Sequence, residues 1–304
     1  MDYTFPRYLA AKRSVDDRAL NRLVWSRLAE EIAGQGEGFS IVEVGAGTGT
    51  MLQRLVEWGA LHQGHYLGID VQPENIRVAW STIPTWATER GLTLAARSAA
   101  GFKLEGERIN LRLELETIDL LDFLTRETGK RSWDVLIAHA FLDLFDIPRL
   151  MPELLQLVRR GGLLYLTINF DGHTIFEPVG DAALEEKIIR LYHRSMDERV
   201  TDGRLAGDSR AGRHLFGVLA ANGLEVLAAG SSDWVVYPRD GQYLADEAYF
   251  LHHILHFFEE TLPNRPEITT EELQTWAGQR HAQVERGELV YLAHQLDFLV
   301  RRPF

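Results

Sequence analysis

Ile41-Val42-Glu43-Val44-Gly45-Ala46-Gly47-Thr48-Gly49-Thr50 is the stretch whose reading decides the fold. A short β-branched run ends in three glycines at alternate positions, and 51–58 then take helical spacing, which predicts a buried strand turning directly into a helix. Glycines at such a junction let a ligand approach the backbone, and the first helical turn offers unpaired N–H groups. The dinucleotide fingerprint Gly-x-Gly-x-x-Gly is not met, because Thr50 stands where its third glycine belongs. The pattern is Glu-x-Gly-x-Gly-x-Gly.

Outward from this stretch, strand and helix alternate. Strands are expected at 39–44, 65–69, 109–117, 133–138 and 162–168, with helices at 51–58, 73–90, 120–126 and 148–159 between them. Pro73 suits a first helical turn, whereas Pro84 is expected to kink or split its helix. Ahead of this core, Leu20, Leu23, Val24, Leu28 and Ile32 keep one helical face, with Asp16 and Asp17 placed to cap its start. Beyond Asp171 the rhythm changes to a turn-rich loop, a helix at 182–198, a short amphipathic stretch around 211–221, and helices at 246–261 and 270–286. Strand signals return at 224–228, 234–237 and within 288–300. The alternation predicts an α/β fold, a doubly wound and mostly parallel sheet with added helices.

Composition narrows the function. Acidic side chains outnumber basic ones, 44 to 32, for a net charge of −12, which argues against nucleic acid as a partner. No cysteine is present, so disulfides, thiolate metal sites and cysteine nucleophiles are excluded together. No run of apolar residues is long enough to span a bilayer, and the opening residues do not read as an export signal. The expectation is a cytoplasmic protein with no membrane partner.

Glu43-Val44-Gly45-Ala46-Gly47-Thr48-Gly49 resembles the first motif of the class I S-adenosylmethionine-dependent methyltransferases, an acidic residue and an apolar one followed by Gly-x-Gly-x-Gly. The second strand ends at Asp70, where a two-acceptor carboxylate faces ribose hydroxyls in this family and in dinucleotide enzymes alike. Asp119-Leu120 after the third strand is similar to the family position at which Asp accepts from the adenine amino group and Leu packs on the ring; the plain alternative is a capping Asp. The resemblance covers roughly 39–170 and implies a Rossmann-like, seven-stranded sheet with S-adenosylmethionine as cofactor and S-adenosylhomocysteine as product. The cofactor residues it implies are Glu43, Gly45, Ala46, Gly47, Gly49, Asp70, Val71, Asp119, Leu120, His139 and Ala140. One domain over 1–304 is expected: an N-terminal helical cap at 1–36, a cofactor core at 37–170, helical additions forming a lid at 171–223 and 238–286, and terminal strands at 224–237 and 287–304.

Methyl transfer from a sulfonium relies on alignment, and a protein base is needed mainly where the acceptor must lose a proton. In the family the end of the fourth strand faces the transferable methyl group, so His139 is a candidate base or substrate-orienting group, the alternative being a packing or cofactor contact. His173, at the open edge beyond the fifth strand, is a second candidate base. Tyr8, Lys12, Asp143 and Asp171 are candidates for the acceptor site, each with a plain surface or capping alternative. His252, His253 and His256 invite a metal reading, but they lack the His-Glu-x-x-His order and no metal is expected. Ala138-His139-Ala140-Phe141 does not match the motif of the adenine- and glutamine-methylating branch. The expected function is methyl transfer to a small-molecule acceptor. The rivals are an NAD(P)-dependent oxidoreductase, a protein or RNA methyltransferase, and a cofactor-binding protein without turnover.

Overall fold

The structure, a computed structural model, describes residues 2–34, 36, 38–98, 101–201 and 203–304. The first helix begins earlier than expected. α1 (Phe5–Ala19) runs through Asp16 and Asp17, the chain turns at Leu20, and Asn21 caps α2 (Arg22–Ile32) by accepting from Leu23 N and Val24 N. A helix start needs an acceptor for its free N–H groups, and Asn21 supplies it, so Asp16 is left as a buried carboxylate rather than a cap.

The core follows as β1 (Ser40–Val44), α3 (Thr50–Glu57), β2 (Gln63–Asp70) and α4 (Pro73–Glu89). α4 does not stop at Pro84. Ile76, Ala79, Ile83, Trp86 and Ala87 bury one face on both sides of the proline, and that packing offsets the backbone hydrogen bond a proline forfeits. A hairpin not read from the sequence, β3 (Thr93–Ser98) and β4 (Gly101–Glu105), then pairs antiparallel with β5 (Asn110–Thr117). Next come α5 (Leu120–Glu127), β6 (Trp133–His139), a 3₁₀ turn at Leu142–Leu144, α6 (Ile147–Leu157) and β7 (Val158–Glu177). The last third holds α7 (Ala182–Asp197), the two-residue strands β8 (Val200–Thr201) and β9 (Arg204–Leu205), α8 (Ala211–Ala221), β10 (Glu225–Ser231), β11 (Trp234–Val236), α9 (Glu247–Thr261), α10 (Thr270–Glu285) and β12 (Val290–Arg301).

Among the described residues ten strands form one sheet in the order β10-β12-β7-β6-β1-β2-β5-β4-β3, with β11 also on β12. The five strands β5, β2, β1, β6 and β7 are parallel, and β12 enters antiparallel between β7 and β10. These seven are the expected doubly wound sheet, which the β3–β4 hairpin and β11 extend. β7 is far longer than expected, because Thr174–Glu177 pair with Val290–Ala293 where a turn-rich loop had been read. The strand bends on the way: Ile168 adopts a φ of 56°, and its N–H donates to the buried Asp297 Oδ1 at 2.7 Å.

Along the parallel strands successive side chains enter opposite apolar layers, since Ile41 and Val135 pack on one face and Val42, Val44 and Leu136 on the other. α2 lies against β10 and β12. The expected N-terminal cap therefore divides, and α1 alone joins α9, α10 and α7 in a helical layer over one end of the sheet.

Candidate functional site

β1 stands between β2 and β6, where the strand order turns outward in both directions and the carboxyl ends of neighbouring strands part into a crevice. A cavity of about 270 Å³ opens there. Ten of the eleven residues expected to hold a cofactor line it, namely Glu43, Gly45, Ala46, Gly47, Asp70, Val71, Asp119, Leu120, His139 and Ala140. Gly49 does not. It is the N-cap of α3 in the left-handed conformation, and a Cβ there would press on Ile83 at 3.3 Å, so its role is helix start and packing.

The glycine loop is built for close approach. Gly45 has a φ of 70°, and a Cβ at this position would overlap the Phe141 ring. Asp70 ties the loop to the end of β2: Oδ2 accepts from Gly47 N at 2.8 Å, and Oδ1 accepts from Gln72 N at 2.8 Å and Asn75 Nδ2 at 3.1 Å. With one bond on Oδ2, that oxygen keeps a lone pair for a further donor. Asp119 caps α5 by accepting from Leu121 N at 2.7 Å, so the capping role is real, and its exposed carboxylate also lines the cavity. Glu43 is buried and accepts a hydrogen bond from Tyr66 Oη, and burial pushes its carboxyl up to about 8 against that bond. Three apolar side chains of the cavity wall, Phe5, Val71 and Leu144, are exposed at 47%, 55% and 38%. Apolar surface left open around convergent polar groups is the signature of a ligand site.

His139 sits in a network the sequence did not reveal. Its Nε2 lies 3.0 Å from Asp16 Oδ2 and its Nδ1 2.8 Å from Thr167 Oγ1. The Asp16 carboxylate can only accept, which puts the ring hydrogen on Nε2 and leaves Nδ1 to accept from the threonine. Burial pushes the imidazole down to about 4, outweighing the nearby carboxylate, so the ring is neutral. Asp16 also receives Lys12 Nζ at 2.9 Å and Trp234 Nε1 at 2.9 Å, with Arg54 at 3.6 Å. Burial alone would raise this carboxyl, and the Lys12 charge, the His139 hydrogen bond and the Arg54 charge hold it well below the usual range instead. Beside His139 the backbone departs from common conformations: Ala140 has a φ of 50° while its N–H donates to Thr167 O.

The remaining expected residues separate into two groups. Lys12 lines the cavity from α1 together with Phe5, Leu9 and Asp16; Tyr8 lies behind them, stacked between Phe250 and His253. Asp143 lies in the 3₁₀ turn just past His139, its carboxyl raised by burial. Asp171 and His173 do not reach the cavity. Asp171 is held by Arg213 through Nε at 2.8 Å and Nη2 at 2.9 Å, and His173 lines an open outer groove with His193 and Arg210. The long β7 carries both past the crevice, which a strand ending at 168 would not have done. His252 Nδ1 meets His281 Nδ1 at 2.6 Å, while His253 packs on Tyr8. Among the described residues no cluster of metal-ligating side chains could hold an ion, and no helix is long and apolar enough to cross a membrane.

No family model and no curated protein matches the chain. Solved structures align along most of its length. The cyclase SpnF is 16% identical over 98% of this chain and 94% of its own, with a TM-score of 0.44. A SAM-dependent methyltransferase from Thiobacillus denitrificans, in complex with S-adenosyl-L-homocysteine, is 14% identical over 99% of both chains with a TM-score of 0.46. Phosphoethanolamine N-methyltransferase 2 from Haemonchus contortus, in complex with phosphomonomethylethanolamine and S-adenosylhomocysteine, is 11% identical over 99% of this chain and 58% of its own, with a TM-score of 0.47. All three scores lie below 0.5, so the fold is read from the chain's own strand order and reversed β12: a doubly wound, Rossmann-like α/β sheet.

Proposed function

We propose that the chain is an S-adenosylmethionine-dependent methyltransferase acting on a small molecule, a single functional unit over 1–304. The observation that carries this reading is the convergence of Glu43, Asp70 and Asp119, from the ends of three neighbouring strands, on one cavity beside the glycine loop. The lining suits that cofactor. Acidic groups tolerate a sulfonium and the loop need not hold a pyrophosphate. Val71, Ile118 and Leu120 offer apolar contact beside Asp119, as an adenine ring with its amino group requires.

When bound, S-adenosylmethionine supplies an electrophilic methyl group on its sulfonium. Of the chain's own groups, Glu43 and Gly45 to Thr48 take the amino-acid end, Asp70 the ribose hydroxyls, and Asp119 with Leu120 the base. His139, neutral and engaged at both nitrogens, is a positioning residue that holds α1 over the crevice through Asp16 rather than a free base. Phe5, Leu9 and Phe141 exclude water from the reacting side. His173 and Asp171 have no part in this reading.

Calorimetric titration of the full chain with S-adenosylmethionine, S-adenosylhomocysteine and NAD tests it, repeated on Asp70→Ala and Asp119→Ala. Micromolar binding of the first two, lost on NAD and weakened by both substitutions, is the expected result. Binding of NAD alone would overturn the cofactor and support an oxidoreductase. With a net charge of −12, no salt-sensitive retention on RNA is expected, and finding it would favour an RNA acceptor.

A further inference from the structure

Past Thr167 one side of β7 is open. β6 stops at His139, opposite Thr167, while β12 keeps pairing on the other side as far as Glu177, so Gly172 to Glu177 form an edge of the sheet. In an antiparallel ladder alternate residues turn their N–H and C=O groups away from the partner strand, and no other strand meets them here among the described residues. Such an edge is a template for one more strand.

A groove of about 820 Å³ runs beside this edge and shares no lining residue with the cofactor cavity. Five consecutive residues of β7, Gly172 to Phe176, line it, whereas one face of a strand would contribute only every second residue; the edge itself faces the groove. The other wall is one face of α7, which runs back along β7 after the turn at 178–181. Ala182, Glu186, Ile189, Arg190 and His193 recur there at three- and four-residue spacing. His193 Nε2 lies 2.9 Å from Thr174 Oγ1 and joins the two walls. Ile175 and Val179 are left 46% and 38% exposed in the groove.

Most charges on the walls are already spent. Glu185 is held by Arg280 and by Trp276 Nε1 at 2.7 Å, Arg194 by Glu267 and Glu198, and Asp197 accepts from Ser209 N at 2.7 Å. Glu186, Arg190 and Arg210 are exposed and form no ion pair among the described residues. Arg210 lies against β7, since a Cβ on Gly172 would stand 3.2 Å from its Cγ. Glu186 and Arg190 are four residues apart on a helix, a rise of about 6 Å, and alternate residues of a strand repeat at about 6.6 Å. A strand laid along β7 therefore sets a basic side chain against Glu186 and, two positions away, an acidic one against Arg190. Arg210 and His173, beside Gly172, stand at the cationic end.

We propose that this groove docks another protein, which adds an extended segment of about six residues as a further strand between β7 and α7, with an acidic and a basic side chain two positions apart. Main-chain hydrogen bonds to the β7 edge give affinity, and Glu186 and Arg190 give specificity. A free anion would use the arginines alone and leave the strand edge, Ile175 and Val179 uncovered. Nothing in this docking involves the cofactor cavity, so it stands apart from the methyltransferase reading.

The test is fluorescence anisotropy of the full chain, without cofactor, against the labelled peptide Thr-Val-Asp-Val-Lys-Val and the same peptide with Asp and Lys exchanged. A third peptide, Thr-Val-Val-Asp-Lys-Val, puts its charges on opposite sides of a strand. Saturable binding of one alternate order is expected, with the third peptide weaker by about tenfold. N-methylation of alternate backbone amides, made in both phases, should abolish binding in one phase and spare it in the other, the mark of strand addition. Arg190→Glu should weaken binding about three- to tenfold, and Glu186→Arg combined with Arg190→Glu should exchange the preferred order. Both positions are exposed, so near-native melting temperatures are the folding control. No saturable binding of either order up to about 1 mM, equal binding of the third peptide, or no effect of N-methylation in either phase would each overturn the proposal. A dimer in sedimentation velocity that Arg190→Glu dissociates would overturn it in favour of a second copy of this chain. Binding of inorganic phosphate without any peptide would overturn it in favour of a free anion.

Discussion

The two halves of the site are assembled in opposite ways. On the cofactor side, Glu43, Gly45, Asp70 and Asp119 sit where strands end or helices begin, each placed by its immediate neighbours. On the cap side, Phe5, Leu9, Lys12 and Asp16 come from α1 and reach the cavity only by how the helical layer packs on the sheet. Local placement makes a site legible, and tertiary placement hides it. Asp16 joins the halves, reaching from α1 in the cap to His139 on β6 in the core.

That joint is where the largest effect is expected. Asp16→Ala would leave the buried Lys12 charge without its carboxylate and Arg54 with Asp17 alone, and removal of one partner from such a buried network costs about 3–5 kcal/mol. Urea unfolding measures it, and a loss below about 1 kcal/mol would show that the halves are joined elsewhere.

A smaller loss is expected within the cofactor side. Gly45→Ala puts a side chain in the left-handed conformation, at about 1–2 kcal/mol, and drives it into Phe141 as well. Gly34→Ala carries the same kind of φ with nothing near its Cβ, so it pays the conformational cost alone and leaves cofactor affinity untouched. Equal losses from the two variants would mean that the Phe141 contact is unimportant.

Asp119→Ala separates capping from binding. Loss of the cap costs about 1 kcal/mol of stability. If the carboxylate also pairs with a base, S-adenosylhomocysteine affinity falls about tenfold, the equivalent of 1.4 kcal/mol. Asp119→Asn keeps a capping oxygen and should therefore restore most of the stability.

The mildest effect is a change in pH dependence. Glu43 holds its proton to about 8 in the folded chain, well above the usual carboxylate range. The folded state therefore binds more protons than the unfolded one between the two values, so stability falls as pH rises through that window. Glu43→Gln should flatten the fall, with melting temperatures close to wild type at the acid end and higher than wild type near pH 8. Parallel melting curves across the range would place the Glu43 carboxyl in a more polar setting than its burial indicates.

Much of the cofactor side could be read before any coordinates. The glycine loop and Asp70 were legible because a strand end and a turn are written in consecutive residues. Asp16 looks like a cap in the sequence because acidic residues near a helix start look alike, whereas Asn21, five residues on, serves that end. β7 was cut short because Asp171-Gly172 has turn chemistry, while its continuation depends on β12, more than a hundred residues away. Nothing local marks Phe5, Leu9 or Asp16 as cavity residues. Their place there exists only after α1 has packed onto α9, β11 and α4.

The most direct test of the central claim, that the cofactor side is one binding surface roofed by α1, is amide hydrogen exchange with and without saturating S-adenosylhomocysteine. Slowed exchange is predicted at 45–50, 70–75, 118–121 and along the cavity-lining part of α1, with 182–197 little changed. Protection confined to the outer groove at 172–176, or none at the glycine loop, would contradict it.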